Sequence, residues 1–115
     1  MGARCRIEFA VSARNDLLDV VEWYSAQQVP ATGRRLASEV IERVKELADF
    51  PDSGRVVPEF DTPWLRELQM PPFRIVYRRD VGVVTVVRVW RSERLMNETP
   101  LEGAEQARQP DASNG

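Results

Sequence analysis

The stretch FPDSGRVVPEFDTPWLRELQMPPFRIVYRRDVGVVTVVRVWRSER, residues Phe50 to Arg94, decides the fold. Phe50-Pro51-Asp52-Ser53-Gly54 stops a helix and begins a turn, and Pro58 and Pro63 keep the chain extended and irregular through 55–63. Three β-patterned segments follow, Trp64–Met70, Phe73–Arg79 and Val83–Arg91, joined by Pro71-Pro72 and by Asp80-Val81-Gly82. The short connections make them an antiparallel meander. On the second segment Phe73, Ile75 and Tyr77 share one face and Arg74, Val76 and Arg78 the other, so the guanidiniums are expected to project away from the core. On the third, Val87 and Val89 alternate with Arg88 and Trp90, and the segment is apolar enough for a central strand. The sheet is expected to be small, twisted and half covered.

Upstream, residues 4–10 alternate Cys5, Ile7 and Phe9 against Arg4, Arg6 and Glu8, the period of a half-buried strand. Leu17, Val20, Val21 and Tyr24 then recur at helical spacing over roughly 12–28, with Ser12 as N-cap and Asp16 near the positive end of the helix dipole. Pro30 breaks this helix, and a second starts at Ala31 or Thr32 and runs to Asp49 with Leu36, Val40, Val44 and Leu47 in one stripe. The break is short, which favours an antiparallel helical hairpin laid on the sheet. The reading is an α+β domain ordered β-α-α-β-β-β over residues 1–102. Residues 103–115, rich in Glu, Gln, Ser, Asn and Gly, lack the apolar surface to offset their ordering entropy and are expected to form a flexible tail.

A length of 115 residues suits one domain, and 43% hydrophobic with 30% charged residues is the balance of a globular protein rather than a disordered or fibrous one. No apolar run reaches the roughly 20 residues that span a bilayer, and the N-terminus lacks the plan of a secretory signal, so a cytoplasmic location without membrane contact is expected. The single Cys5 excludes a disulfide framework and is expected to be a buried thiol. The net charge of −2 hides an uneven distribution, with six basic and nine acidic residues in 5–53 but eight basic and five acidic in 55–94. That local excess fits either a solvated face or a footprint for an anionic partner.

The order and spacing of these segments resemble the ParE/RelE superfamily of toxins from type II toxin–antitoxin pairs, and ParE-like members most of all. The resemblance covers residues 4–96. It rests on the acidic-aromatic helix text Asp16-Leu17-Leu18-Asp19-Val20-Val21-Glu22-Trp23-Tyr24 and the loop Phe50 to Glu59. It rests further on Leu65-Arg66-Glu67-Leu68, Phe73-Arg74-Ile75-Val76-Tyr77-Arg78, and the arginine-rich run Val86 to Arg94. It implies a compact helical hairpin on a small, mainly antiparallel sheet. It also implies a cognate antitoxin whose C-terminal segment wraps the domain as an extended or helical peptide. The target is implied to be DNA gyrase in the ParE-like case, or the ribosome and its messenger RNA in the RelE-like case, with no small-molecule substrate.

Messenger cleavage needs a group that takes the 2′-hydroxyl proton, cations for the phosphate, and a donor to the leaving oxygen. The chain has no histidine, its only lysine is Lys45 on the second helix, and Tyr77 alternates toward the core. Arginine stays protonated and makes a poor base. Many relatives place a histidine where this chain has Arg91, which weakens any role carried over to that position. The reading therefore leans to a gyrase-blocking binder without catalytic residues, cofactor or metal. A RelE-like endoribonuclease, an inactive toxin-derived binding module and an unrelated small α+β domain are the alternatives.

The candidate target contacts are Arg55, Arg66, Arg74, Arg78, Trp90, Arg91 and Arg94. Each has a plainer reading. Arg66 beside Glu67, and Arg74 near Arg78, fit cross-strand ion pairs, while Glu59, Asp61 and Glu67 fit surface charge better than a metal site. Trp23 and Tyr24 fit core aromatics, and Gly54 a turn that needs permissive backbone angles. Alanine at Arg74 and Arg78 together is expected to abolish toxicity without unfolding the domain.

Overall fold

The computed structural model describes residues 4–91; the expected tail and Arg94 lie outside the described residues. The elements are β1 (Arg6–Phe9), α1 (Val11–Ala26), α2 (Pro30–Lys45) continued by a 3-10 turn at Glu46–Ala48, β2 (Arg55–Val56), β3 (Leu65–Met70), β4 (Phe73–Asp80) and β5 (Val83–Arg91). The strands are hydrogen-bonded in the order β1-β5-β4-β3-β2. β1 runs parallel to β5 and every other pair is antiparallel. This is the helical hairpin on a mainly antiparallel sheet that the sequence indicates. β2 is an addition: Arg55 and Val56 pair with Glu67 and Arg66, a run too short to leave an alternation.

Pro30 is the first residue of α2 rather than a spacer before it, because its missing N–H falls where a helix has no partner for one. Gln28 turns the corner with φ 67°. The helices then approach closely at Gly33, where a Cβ would lie 2.9 Å from that of Tyr24. Val40 and Val44 of α2, with Leu47 of the 3-10 turn, pack on Phe73, Ile75, Tyr77, Val84, Val86 and Val89 of the sheet. Complete burial of each large side chain here contributes about 1.5–3 kcal/mol.

The opposite face is not bare, which corrects the half-covered sheet. Val57, Leu65, Val76, Val87 and Trp90 form a second buried cluster with Trp64 and Ala10 at its margin. The chain after β2 folds back to supply Val57, whose N–H donates to the Leu65 carbonyl. A bulge interrupts the register of β4 and β5: Val76 pairs with Arg88 but Tyr77 with Val86, so Val87 is left over. The alternation resumes out of phase. Val87 and Val89 therefore do not share a face as their spacing suggests; Val89 packs with the helices and Val87 with Trp90.

α1 also departs from its sequence reading. Ala10 occupies the N-cap with no side-chain bond, and the Ser12 hydroxyl instead donates to the Val87 carbonyl at 2.6 Å. Asp16, one turn later, is buried; it accepts the Val89 N–H at 2.8 Å and two bonds from Arg88 at 2.8 and 2.9 Å. The polar stripe Ser12-Asp16 thus lies along β5 just beyond the end of β1. Trp23, expected in the core, is 51% exposed and packs edge-on against the half-buried Tyr24. Cys5 is half-buried beside the helix-covered core.

Candidate functional site

Cross-strand register sorts the arginines. Arg55 lies opposite Glu67, Glu67 opposite Val76, and Gln69 opposite Arg74, so Arg55, Glu67, Arg74 and Arg78 share the face away from the helices. Arg66 lies opposite Tyr77, and Arg91 opposite Phe73, which puts both on the helix-covered side, toward opposite margins of the sheet. The predicted contact set is therefore three groups, not one surface.

The first group is an ion network centred on Glu67. Its carboxylate is sealed from solvent, and Arg55 Nε donates to one oxygen at 2.6 Å while Arg74 Nε and Nη2 donate to the other at 2.8 and 2.5 Å. Arg74 also reaches Glu59 at 3.3 and 3.5 Å. Arg74 keeps 10% of its side chain exposed, against 53% for Arg55 and 38% for Glu59. Burial opposes the charge on Arg74, but the hydrogen bonds and negative charges of Glu67 and Glu59 outweigh it, holding the guanidinium above its ordinary pKa. Arg74 thus does not project from a bare face, Glu67 is not surface charge, and the ion pairs join Arg74 to Glu67 rather than Arg66 to Glu67. Breaking such a buried pair leaves an uncompensated charge, so alanine at Arg74 tests stability as well as contact.

Further along this face the Arg78 guanidinium lies over Trp64, 5.3 Å from its ring centre, and reaches Asp80 at 3.5 Å. Trp90 is 3% exposed, packed beneath the Arg88 guanidinium at 4.9 Å, and so belongs to the interior.

The second group pins the loop before β2. Arg66 donates to the carbonyls of Gly54 at 2.9 Å and Pro63 at 3.1 Å. The buried Tyr77 hydroxyl accepts the Gly54 N–H at 3.0 Å and donates to the Pro51 carbonyl at 2.8 Å. Burial raises the Tyr77 pKa above 10, the Gly54 N–H working in the other direction. Gly54 is needed for space, since an added Cβ would stand 2.6 Å from both the Glu67 carbonyl oxygen and the Tyr77 hydroxyl. The third group is Arg91, whose guanidinium bonds the Tyr24 hydroxyl at 3.2 Å and lies 5.2 Å from the Trp23 ring centre. These rings wall a cavity of about 170 Å³ between α1 and the end of β5.

The arrangement presents guanidiniums, and the ionisable groups nearest them are themselves bonded. Both Glu67 oxygens are held by guanidiniums, and Tyr77 is turned into the loop. Lys45 sits on α2 beside Glu42. Among the described residues no three His, Cys, Asp or Glu side chains converge to hold a metal ion, and no helix is long and apolar enough to cross a membrane. The residues that sequence reasoning missed, Glu67 and Asp16, did leave a signal: each carboxylate sits in phase with apolar neighbours, Leu65 in one case and Ala13 and Val20 in the other.

Comparison with known proteins bears on the whole of this architecture. No curated protein matches the sequence. Among solved structures, the chromosomal ParDE toxin–antitoxin system from P. aeruginosa contains a chain 21% identical in sequence, with a TM-score of 0.66 over 76% of this chain and 96% of that one. The toxin–antitoxin complex RelBE2 from Mycobacterium tuberculosis contains one 19% identical, with a TM-score of 0.58 over 76% of this chain and 98% of that one. At such identities the likeness establishes the fold. Residues 7–96 match the model of the ParE toxin of the type II toxin–antitoxin system parDE, and the chain therefore belongs to the ParE toxin family.

Proposed function

We propose that this toxin acts in the cytoplasm by binding DNA gyrase and holding its cleaved-DNA state, and that a cognate antitoxin neutralises it. The observation that carries the choice of a binder over a messenger-cleaving enzyme is the state of the side chains beside the arginines. Glu67 is locked between Arg55 and Arg74, the Tyr77 hydroxyl between Gly54 and Pro51, and the one partly exposed carboxylate there, Glu59, is paired with the Arg74 guanidinium. A general base must be within reach of the proton it takes and free to take it. The partly exposed arginines, Arg55 and Arg78 on one face and Arg91 on the other side, remain as contacts for a protein or for DNA. Membership of the ParE family supports gyrase as the target, and the toxin–antitoxin complexes of similar fold support the antitoxin.

Purified gyrase supercoiling and DNA-cleavage assays, run beside a translation extract probed for cut messenger, test this reading. Accumulating cleaved DNA with intact messenger is the expected result. Ribosome-dependent messenger cleavage overturns it in favour of an endoribonuclease, and inactivity in both assays with retained antitoxin binding overturns it in favour of an inactive binding module.

A further inference from the structure

We propose that the cleft between Arg55 and Arg74 is a carboxylate-exchange site, in which an acidic side chain of the antitoxin takes the place of Glu59. The identity of the partner rests on the preceding reading; the site itself does not. Two carboxylates meet Arg74, and they are held unequally. Glu67 comes from β3, is fully sealed, and makes bonds of 2.5 and 2.8 Å. Glu59 comes from the irregular chain between β2 and β3, keeps 38% of its side chain in solvent, and reaches the outer nitrogens at only 3.3 and 3.5 Å. Charge-assisted bonds between guanidinium and carboxylate are ordinarily about 2.7–2.9 Å, so the Glu59 contact is the loose one. Glu67 is part of the sheet; Glu59 is a stopper.

The space for an exchange is already present. Arg55, Pro58, Glu59, Gln69, Pro71 and Arg74 line an open cleft of about 400 Å³. Its walls are apolar or neutral except for the four charged groups of the network, counting Glu67 below. With Glu59 in place the two guanidiniums meet two carboxylates and the charges cancel; with Glu59 withdrawn, two meet one and a single positive charge remains. An incoming group that restores the balance carries one negative charge on a flexible stem, as Glu59 itself does. A row of phosphates suits the cleft less, because Glu59 stays tethered in its lining and opposes a polyanion. Removing the internal competitor should therefore strengthen the external ligand, in proportion to what the loose pair is worth.

The test uses the full-length protein and its Glu59→Gln variant, with acetate and inorganic phosphate as probes at constant ionic strength. The Nε–H resonances of Arg55 and Arg74 report occupancy. We expect saturable acetate binding about fivefold tighter in the variant than in the wild type, the size of one partly exposed ion pair, and weaker binding of phosphate. Calorimetric titration with the antitoxin should show a similar tightening, whereas Glu39→Gln, which removes a remote exposed pair with Arg35, should change neither. Glu59→Asp keeps the charge on a shorter stem and should fall between, which also serves if the glutamine variant folds poorly. No acetate response at Arg74, a preference for phosphate, or an unchanged antitoxin affinity each overturns the proposal. Should no antitoxin bind the wild type at all, the functional reading fails while the acetate titration still decides the site.

Discussion

The two faces of the sheet are built from the same strands by different means. Beneath the helices, Phe73, Ile75 and Tyr77 of β4 meet Val40, Val44 and Leu47 with no charge between them. On the other side, the alternate residues of β4 are Arg74, Val76 and Arg78, and burial there combines a small apolar cluster with the Arg55–Glu67–Arg74 network. Over these β4 residues α2 and the 3-10 turn lay apolar side chains whose main demand is volume. The loop that covers the other face carries Val57 inward but also brings Glu59, so that face must solve a charge problem as well. The first face is held by shape and the second by pairing, and the two should fail differently.

Shape is tested most severely by Phe73→Ala. Loss of this fully buried ring should cost about 4 kcal/mol in chemical denaturation, within the range for large-to-small core changes. Pairing is tested by Glu67→Ala, which strands the buried Arg74 and should cost about 3 kcal/mol. The double change Glu67→Leu with Arg74→Met should recover most of that loss, because an apolar pair of similar volume avoids the desolvation of both charges. No such rescue by a second substitution is expected at Phe73. A double variant as unstable as Glu67→Ala would mean that the network does more than balance charge.

The junction of the two regimes is Gly54, and Gly54→Ala should cost about 2 kcal/mol by overpacking against the Glu67 carbonyl and Tyr77. Tyr77→Phe keeps the ring but leaves the Gly54 N–H and Pro51 carbonyl without their partner, for a loss of about 1–2 kcal/mol. It should also change the alkaline limb of stability. Burial raises the Tyr77 pKa in the folded state, so its contribution is complete below the ordinary value of 10 and declines as pH rises from there through the folded value. Tyr77→Phe should flatten that decline in denaturation measured across pH 9–11.5. The smallest effect belongs to the exposed helix surface: Arg35→Ala, which breaks the pair with Glu39, should change stability by less than about 0.5 kcal/mol.

The difference between the faces also explains what could be read in the chain. Apolar alternation in Phe73-Ile75-Tyr77 and the stripe Val40-Val44-Leu47 depend on neighbours two to four residues away, and they placed the sheet, the hairpin and the core correctly. Alternation equally says that Arg74, Val76 and Arg78 share a face, but not whether that face meets water. Arg74 is buried by Glu67 and Glu59, seven and 15 residues away, and Asp16 by Arg88, 72 residues away. The phase of Glu67 and Asp16 with apolar neighbours hints at burial, but no period in the sequence names the partner. The Val87 bulge is hidden for a related reason, since it exists only relative to the register of β4. The candidate arginines were therefore visible as residue types, whereas their division among two faces and a loop clamp was not.

The polar stripe of α1 along β5 has one more consequence, for how copies of this chain meet. A strand margin with free N–H and C=O groups is a template on which another chain can pair. Ser12 takes the Val87 carbonyl and Asp16 the Val89 N–H, so a helix holds positions that a neighbouring strand would need. At the other end of the sheet β2 is only two residues long. With the end of β5 occupied by side chains, and the edge strands β1 and β2 only four and two residues long, the sheet offers a second copy little margin on which to pair.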